Sequence, residues 1–265
     1  MFAVEPYLAR LGVSDAVGPP TYELLARLQL AHLMHVPFEN LHAFHRRGIR
    51  TDLAWSYPKV VQQRRGGWCF ELNGCFGELL RRLGFQVDLV SCQVWEFEQL
   101  RWGPQHDHLA LVVHLDGERW LVDVGFGDCS VQPLLIVDGE REATPRRARI
   151  ELHDDAAGFE LTELVPMESG AVEWEPQLRV SFAPQQLPVF DGRNTFLQTE
   201  PGLSWTEKAF ATRALGADGS RITLRMNVLR RRTGVDQYDS ESIETAEQWS
   251  AALLEHFGMV DTNTH

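Results

Sequence analysis

Arg65-Gly66-Gly67-Trp68-Cys69-Phe70-Glu71-Leu72-Asn73 is the stretch on which the reading of this chain depends. Leu72, Phe76, Leu79, Leu80 and Leu83 form one apolar stripe with Gly84 behind it, which predicts a helix starting near Cys69. A cysteine attacks as its thiolate, so a reactive one needs its pKa lowered from about 8.5. The unpaired amides and dipole of a helix N-terminus favour that anion. Gly66-Gly67 lets the backbone approach closely and turn into the helix. A cysteine in such a place also reads as a small buried hydrophobe, so its partners must be sought elsewhere in the chain.

They are found where the hydrophobic period changes from helical to two. Phe85, Val87 and Leu89 alternate with polar residues, as in a half-buried strand. The runs 108–115 and 118–124, joined by Asp116-Gly117, predict a β-hairpin. With Leu115 facing Glu118, Val113 faces Trp120, Leu111 faces Val122 and Leu109 faces Val124. One whole face is then apolar, and a one-residue slip would scatter it. On the other face Asp123 sits opposite Ala110, with His108 its diagonal neighbour at about 7–8 Å between Cα atoms. A His108–Asp123 hydrogen bond is expected, fixing the imidazole tautomer and stabilising imidazolium. His106, Asp107 and His114 are rivals. His106 shares the parity of His108 at the loop edge, and His114 lies beside the turn. Gly125-Phe126-Gly127 follows directly and reads either as an anion-binding nest of free amides or as a simple turn.

On the N-terminal side, Thr21 caps a helix carrying Leu24, Leu25, Leu28 and Met34 that ends at Val36-Pro37. Beyond the hairpin, short alternating runs at 159–164 and 178–182 continue an antiparallel barrel or sandwich to about Phe190. The last part predicts a strand over 222–229 and a closing helix over 245–257 that Gly258 ends. No repeat or low-complexity linker divides the chain, so its parts are expected to pack as one unit.

A length of 265 residues allows one large domain or a few parts sharing a core. A net charge of −12 argues against nucleic acid, whose phosphates need clustered Lys and Arg. Arg146-Arg147 with Arg149, and Arg230-Arg231-Arg232, read as solvated faces or as contacts for a phosphate-bearing cosubstrate. Cys69, Cys75, Cys92 and Cys129 form no C-x-x-C pair and suggest a reduced, intracellular protein. The N-terminus lacks the pattern of a signal peptide, and no run reaches the roughly 20 apolar residues that span a bilayer. A soluble cytoplasmic protein without a membrane partner is expected. His32 and His35, then His42 and His45, complete no recognisable zinc set, so no metal is expected.

Taken together, Val36-Pro37-Phe38-Glu39-Asn40-Leu41, Arg65-Gly66-Gly67-Trp68-Cys69 with Asn73, His108-Leu109 and Val122-Asp123-Val124-Gly125-Phe126-Gly127 resemble the arylamine N-acetyltransferases. The resemblance implies an α+β fold in three parts with a cysteine-protease-like catalytic core: a helical bundle over 1–84, an antiparallel β-barrel over 85–190 and an α/β lid over 191–265. It implies a triad of Cys69, His108 and Asp123, which the residues themselves had suggested. It further implies Phe38, Phe126 and Trp205 as substrate-binding aromatics, Gly125, Gly127 and Ser204 toward the cosubstrate, and Glu39, Arg65 and Asn73 as structural support. Glu39 and Arg65 look like the family's buried ion pair. The implied reaction is ping-pong, from acetyl-CoA through a Cys69 thioester to an aromatic amine or hydrazine, with no permanently bound cofactor.

Two departures from the family pattern lie on the cosubstrate side. Asp128-Cys129-Ser130 stands where a glycine and a proline-containing turn are usual, and a carboxylate there would repel CoA phosphates. The segment Thr199-Glu200-Pro201-Gly202-Leu203-Ser204-Trp205 also departs from the usual serine-rich pattern. Those changes suit a related amide synthase, which closes a polyketide into a macrolactam from a carrier-protein thioester. A papain- or transglutaminase-like thiol hydrolase and a non-enzymatic binding module are further alternatives.

Overall fold

The computed structural model describes residues 2–167 and 170–260. Residues 261–265, the end of the expected third part, lie outside the described residues. Helix α1 (Val4–Leu11) is followed by α2 (Tyr22–His35), where the Thr21 hydroxyl accepts the Leu24 amide at 3.2 Å. Pro37 then forces extended backbone, and a two-residue strand follows, β1 (Phe38–Glu39). Short helices α3 (Leu41–Phe44) and α4 (Leu53–Tyr57), the latter running into a π-turn at Pro58–Gln62, lead to α5 (Cys69–Arg82). This helix starts on Cys69, but it does not bury a single stripe. Every residue from Cys69 through Gly77 is buried, because helices cover one side and a sheet the other. Gly77 makes the close approach possible: a Cβ there would stand 3.1 Å from methyls of both Leu89 and Leu111.

The sheet under α5 is antiparallel and nine-stranded. Its strands are β2 (Gln86–Glu96), β3 (Arg101–Trp102), β4 (His108–Leu115), β5 (Glu118–Val122), β6 (Leu134–Leu135), β7 (Gly139–Arg141), β8 (Ala148–Leu152), β9 (Gly158–Pro166) and β10 (Val172–Gln185). Spatial order is β6-β5-β4-β2-β10-β9-β8-β7, with β3 paired to β2. The expected barrel is thus a curled, open half-barrel whose end strands are not bonded to each other among the described residues. The β4–β5 register is Leu115↔Glu118, Val113↔Trp120 and Leu111↔Val122. The start of β2 is half-buried as expected, with Val87 and Leu89 inside and Gln86 exposed, whereas β4 is buried along nearly its whole length. Leu109, Leu111 and Val113 face the helical core, while Ala110 and Val112 face a second core with Cys92, Leu121, Ile150 and Phe159.

Residues after β10 form α6 (Asp191–Thr199), α7 (Ser204–Glu207), β11 (Phe210–Ala214), β12 (Arg221–Arg225), β13 (Val228–Thr233), β14 (Gln237–Ser242) and α8 (Ala246–Phe257). The strand expected over 222–229 is really parts of two, β12 and β13, folded back at Met226 (φ +51°) and Asn227. The closing helix has Thr245 and Gln248 in a reciprocal capping box and ends on Gly258 in the left-handed conformation. This second sheet runs β1-β11-β12-β13-β14, so its first strand comes from the N-terminal segment. Phe38 pairs with Thr212. The largest core likewise joins Leu8, Phe70, Leu111, Phe190 and Ala214.

Candidate active site

At the start of α5 a carboxylate takes up a free helix amide. Glu71 accepts the Trp68 N–H at 3.2 Å, and also the Trp55 indole N–H at 3.2 Å. Buried Lys59 donates to both Glu71 oxygens at 2.9 and 3.0 Å, and its Nζ stands 3.7 Å from Glu39. Lys59 is thus the ion partner of Glu39, which corrects the expected Glu39–Arg65 pair. Arg65 instead donates to the Val260 carbonyl at 3.0 Å. Burial alone would raise the Glu39 pKa, but the charges of Lys59 and then Arg65 leave it lowered. For Glu71 burial prevails over Lys59 and the pKa is raised. The signal for Lys59 was available: it is one of two lysines in a chain that otherwise uses arginine.

One turn along α5, Asn73 ties the helix to the hairpin. Its amide nitrogen donates to the Leu109 carbonyl at 2.6 Å and to Asp123 Oδ1 at 2.8 Å, and its oxygen accepts the Val124 N–H at 2.9 Å. Asp123 Oδ1 also accepts the Gly125 N–H at 2.8 Å, and Oδ2 accepts from His108 Nε2 at 2.6 Å. Every contact of this carboxylate is with a donor, so it is an ionised acceptor and the His108 Nε2 carries a proton. Cys69 and His108 stand on the wall of one cavity, and Cys69 is among the groups that act on the His108 charge. Burial disfavours imidazolium, yet Asp123 and then Cys69 outweigh it and raise the His108 pKa to about 10. Gly125 is required for this closeness, since a Cβ on it would lie 2.7 Å from Cys69 Cα.

The rivals find other partners. His106 packs edge-on against Phe190, with ring centroids 5.6 Å apart, and His114 pairs with Asp88 at 2.8 Å. Asp107 holds Arg193 of α6 at 2.7 Å. Among the described residues no group of three His, Cys, Asp or Glu could hold a metal ion. His32, for example, is bonded to the Tyr7 hydroxyl at 2.9 Å, and burial lowers its pKa to about 3.

Cys69 and His108 open into a cavity of about 330 Å³ whose wall includes Phe38, Gly125, Phe126, Ser204 and Trp205. Trp205 meets Phe38 and Trp68 edge-on at 6.0 and 5.9 Å, and Phe126 meets His108 edge-on at 5.2 Å. Gly127 is not on this wall. The rival Asp107 also lines it, with two charged groups that sequence reasoning missed, Glu96 and Arg193. Nothing local marks them, because Arg193 reaches the cavity from a different part of the chain. The array brings a thiol, a charged imidazole and an ionised carboxylate together at an aromatic pocket, which suits nucleophilic acyl transfer.

Asp128 overturns the objection raised from sequence. Its carboxylate receives Arg146 at 2.9 Å, Arg221 at 3.1 Å and also Arg232. Burial would raise its pKa, but these guanidiniums, Arg146 first, hold it far below the usual carboxylate range. Asp128 is therefore neutralised in place and presents no net repulsion to phosphate.

Residues 21–264 match the profile of a family described as N-acetyltransferase. The arylamine N-acetyltransferase pineal gland isozyme NAT-3 of Gallus gallus is 31% identical over 222 residues, covering 79% of this chain and 77% of that protein. The solved arylamine N-acetyltransferase of Salmonella typhimurium superposes with a TM-score of 0.87 at 26% identity, over 98% of this chain and 93% of that one. That of Mycobacterium marinum, solved in complex with CoA, gives 0.84 at 26% identity over 97% and 92%.

Proposed function

The chain belongs to the arylamine N-acetyltransferase family, and from that premise we propose that it moves acetyl groups from acetyl-CoA to an aromatic amine or hydrazine through a thioester on Cys69. The observation that carries this reading is the Cys69–His108–Asp123 array opening on the aromatic cavity. An imidazolium at His108 is the counter-ion that a Cys69 thiolate needs. The thiolate sulfur attacks the acetyl-CoA carbonyl, the S–C bond to CoA breaks, and the departing CoA thiolate takes the proton from His108. The amine nitrogen then attacks the acetyl-enzyme. Neutral His108 accepts the nitrogen's proton as the Cys69 sulfur leaves, which restores the starting pair. Asp123 acts through His108 by fixing its tautomer and favouring its cation.

Phe38, Phe126 and Trp205 would hold the aromatic ring against the thioester. The amide-synthase alternative drew its support from Asp128 and loses it, since that carboxylate is occupied by arginines. We place the reaction in the cytoplasm on the strength of four free, buried cysteines. Among the described residues no helix is long and apolar enough to cross a membrane.

Intact-mass measurement after mixing with acetyl-CoA alone tests the reading. One acetyl group on Cys69, discharged rapidly by p-anisidine and slowly by water, is the expected result. No acetylation, or loss to water as fast as to the amine, would overturn it, the latter in favour of a thiol hydrolase.

A further inference from the structure

The catalytic cavity has two unlike sides. Phe38, Phe126 and Trp205 make one of them aromatic, while Glu96, Asp107 and Arg193 make the other charged. The β2–β4 pairing brings Glu96 there. Cys92 lies opposite His108 in that register, and side chains alternate along a strand, so Val94 and Glu96 continue the face of His108. Glu96 follows Cys92 by four residues, about 13 Å of strand, which is room for an aromatic ring and a short side arm.

Each carboxylate keeps one oxygen uncommitted. Glu96 Oε2 accepts from Arg101 at 2.7 Å, and Asp107 Oδ1 accepts from Arg193 at 2.7 and 2.8 Å. Glu96 Oε1 and Asp107 Oδ2 have no donor among the described residues, and they converge on Gly103. A Cβ there would stand 3.5 Å from the first and 2.7 Å from the second. The charges on this side do not balance. Arg193 is matched to Asp107, but Arg101 is not on the cavity wall and is 68% exposed, so water and salt screen it. Once Cys69 is acetylated and His108 neutral, Glu96 leaves the wall one net negative charge. Asp123, behind His108, has the same sign.

We propose that Glu96 selects the charge of the amine this cavity accepts, favouring an aromatic amine with a cationic side arm and rejecting one with a carboxylate. The assignment rests on the reading that an aromatic amine discharges Cys69. With the ring against the aromatic side and its amine toward the thioester, the ammonium of the arm donates to Glu96 Oε1 and Asp107 Oδ2. A carboxylate arm brings a third anion to two oxygens that already lack donors.

Three acceptors with the same ring and a one-carbon arm test this: 4-(aminomethyl)aniline, p-toluidine and 4-aminophenylacetate, which are cationic, neutral and anionic at neutral pH. With saturating acetyl-CoA, kcat/KM is expected to fall in that order. The ratio of the first to the third is expected to drop about tenfold in Glu96→Gln. Arg193→Gln, which frees the charge of Asp107, is expected to raise the same ratio, a reversal that damage to the fold would not produce. An unchanged ratio in Glu96→Gln, or a shift in the same direction in both variants, overturns the assignment. Protection of Cys69 from iodoacetamide reads the preference without any acyl transfer. The cation is expected to protect the parent protein at about one-tenth the concentration of the anion, and Glu96→Gln at nearly equal concentrations. Equal protection in the parent overturns it as well. If acetyl-CoA does not charge Cys69, or no aromatic amine discharges it, the proposed function falls while the protection measurement still decides the charge selectivity.

Discussion

Asp123 and Asp128 lie on one short loop and are both held by several donors, yet the donors differ in kind. Asp123 is fixed by the Asn73 amide, the Gly125 N–H and one imidazole. Asp128 is fixed by three guanidiniums. Neutral donors hold the first carboxylate without cancelling its charge, so the field falls on His108, whose proton can move. Permanent cations cancel the second, and no group around it titrates near neutral pH. A carboxylate tunes chemistry when its neighbours are amides and a histidine; surrounded by arginines it only fixes position.

The contrast can be broken from either side. Asp123→Asn should leave the fold and remove the charge that favours imidazolium, lowering single-turnover acetylation of Cys69 by about 10³–10⁴-fold. Stability across pH should separate the same pair. The folded pKa of His108, about 10, lies above its unfolded value, so its contribution is complete below about pH 6.5 and is lost as pH rises through 10. Asp128 is depressed, so its contribution is present above about pH 4 and is lost on acidification. Denaturant titrations should then show that Asp123→Asn flattens the alkaline decline and Asp128→Asn the acid one; the reverse pattern would refute the assignment.

Gly125→Ala forces a methyl to within 2.7 Å of Cys69 Cα, and the displaced loop should slow acetylation by about 10²-fold. Asp128→Asn should spare the acetylation rate with S-acetyl-N-acetylcysteamine far more than Asp123→Asn does. Its main effect is to leave Arg221 and Arg232 buried without a counter-ion, which would cost about 3–5 kcal/mol for a dry pair. Because the Asp128 side chain is 37% exposed, solvent screening reduces that to about 2–3 kcal/mol, readable as a lower urea midpoint.

What could be read from sequence was what local pattern encodes. The α5 start, the Thr21 and Thr245 caps and the β4–β5 register each depend on residues within one turn or one hairpin. The face that carries His108 was legible for the same reason. Lys59, Arg193 and the arginines around Asp128 were not, because their partners lie in other segments. The alternation over 222–229 runs unbroken through Met226-Asn227, and no glycine or proline marks that turn. The burial of both faces of β4 was hidden as well, since small residues such as Ala110 give a weak apolar signal and the covering strands come later.

The two residues of β1 have a consequence for the order of assembly. Phe38, a wall of the reactive pocket, is seated by pairing with Thr212, and the ribosome makes the latter much later. At about 5–20 residues per second, roughly 10–35 s separate their synthesis. Through that interval the nascent chain already holds Cys69, His108 and Asp123 but lacks the strand that closes the aromatic wall. The thiol is therefore made early and housed late, and only a chain extended through β11 can present it to a substrate in the finished pocket.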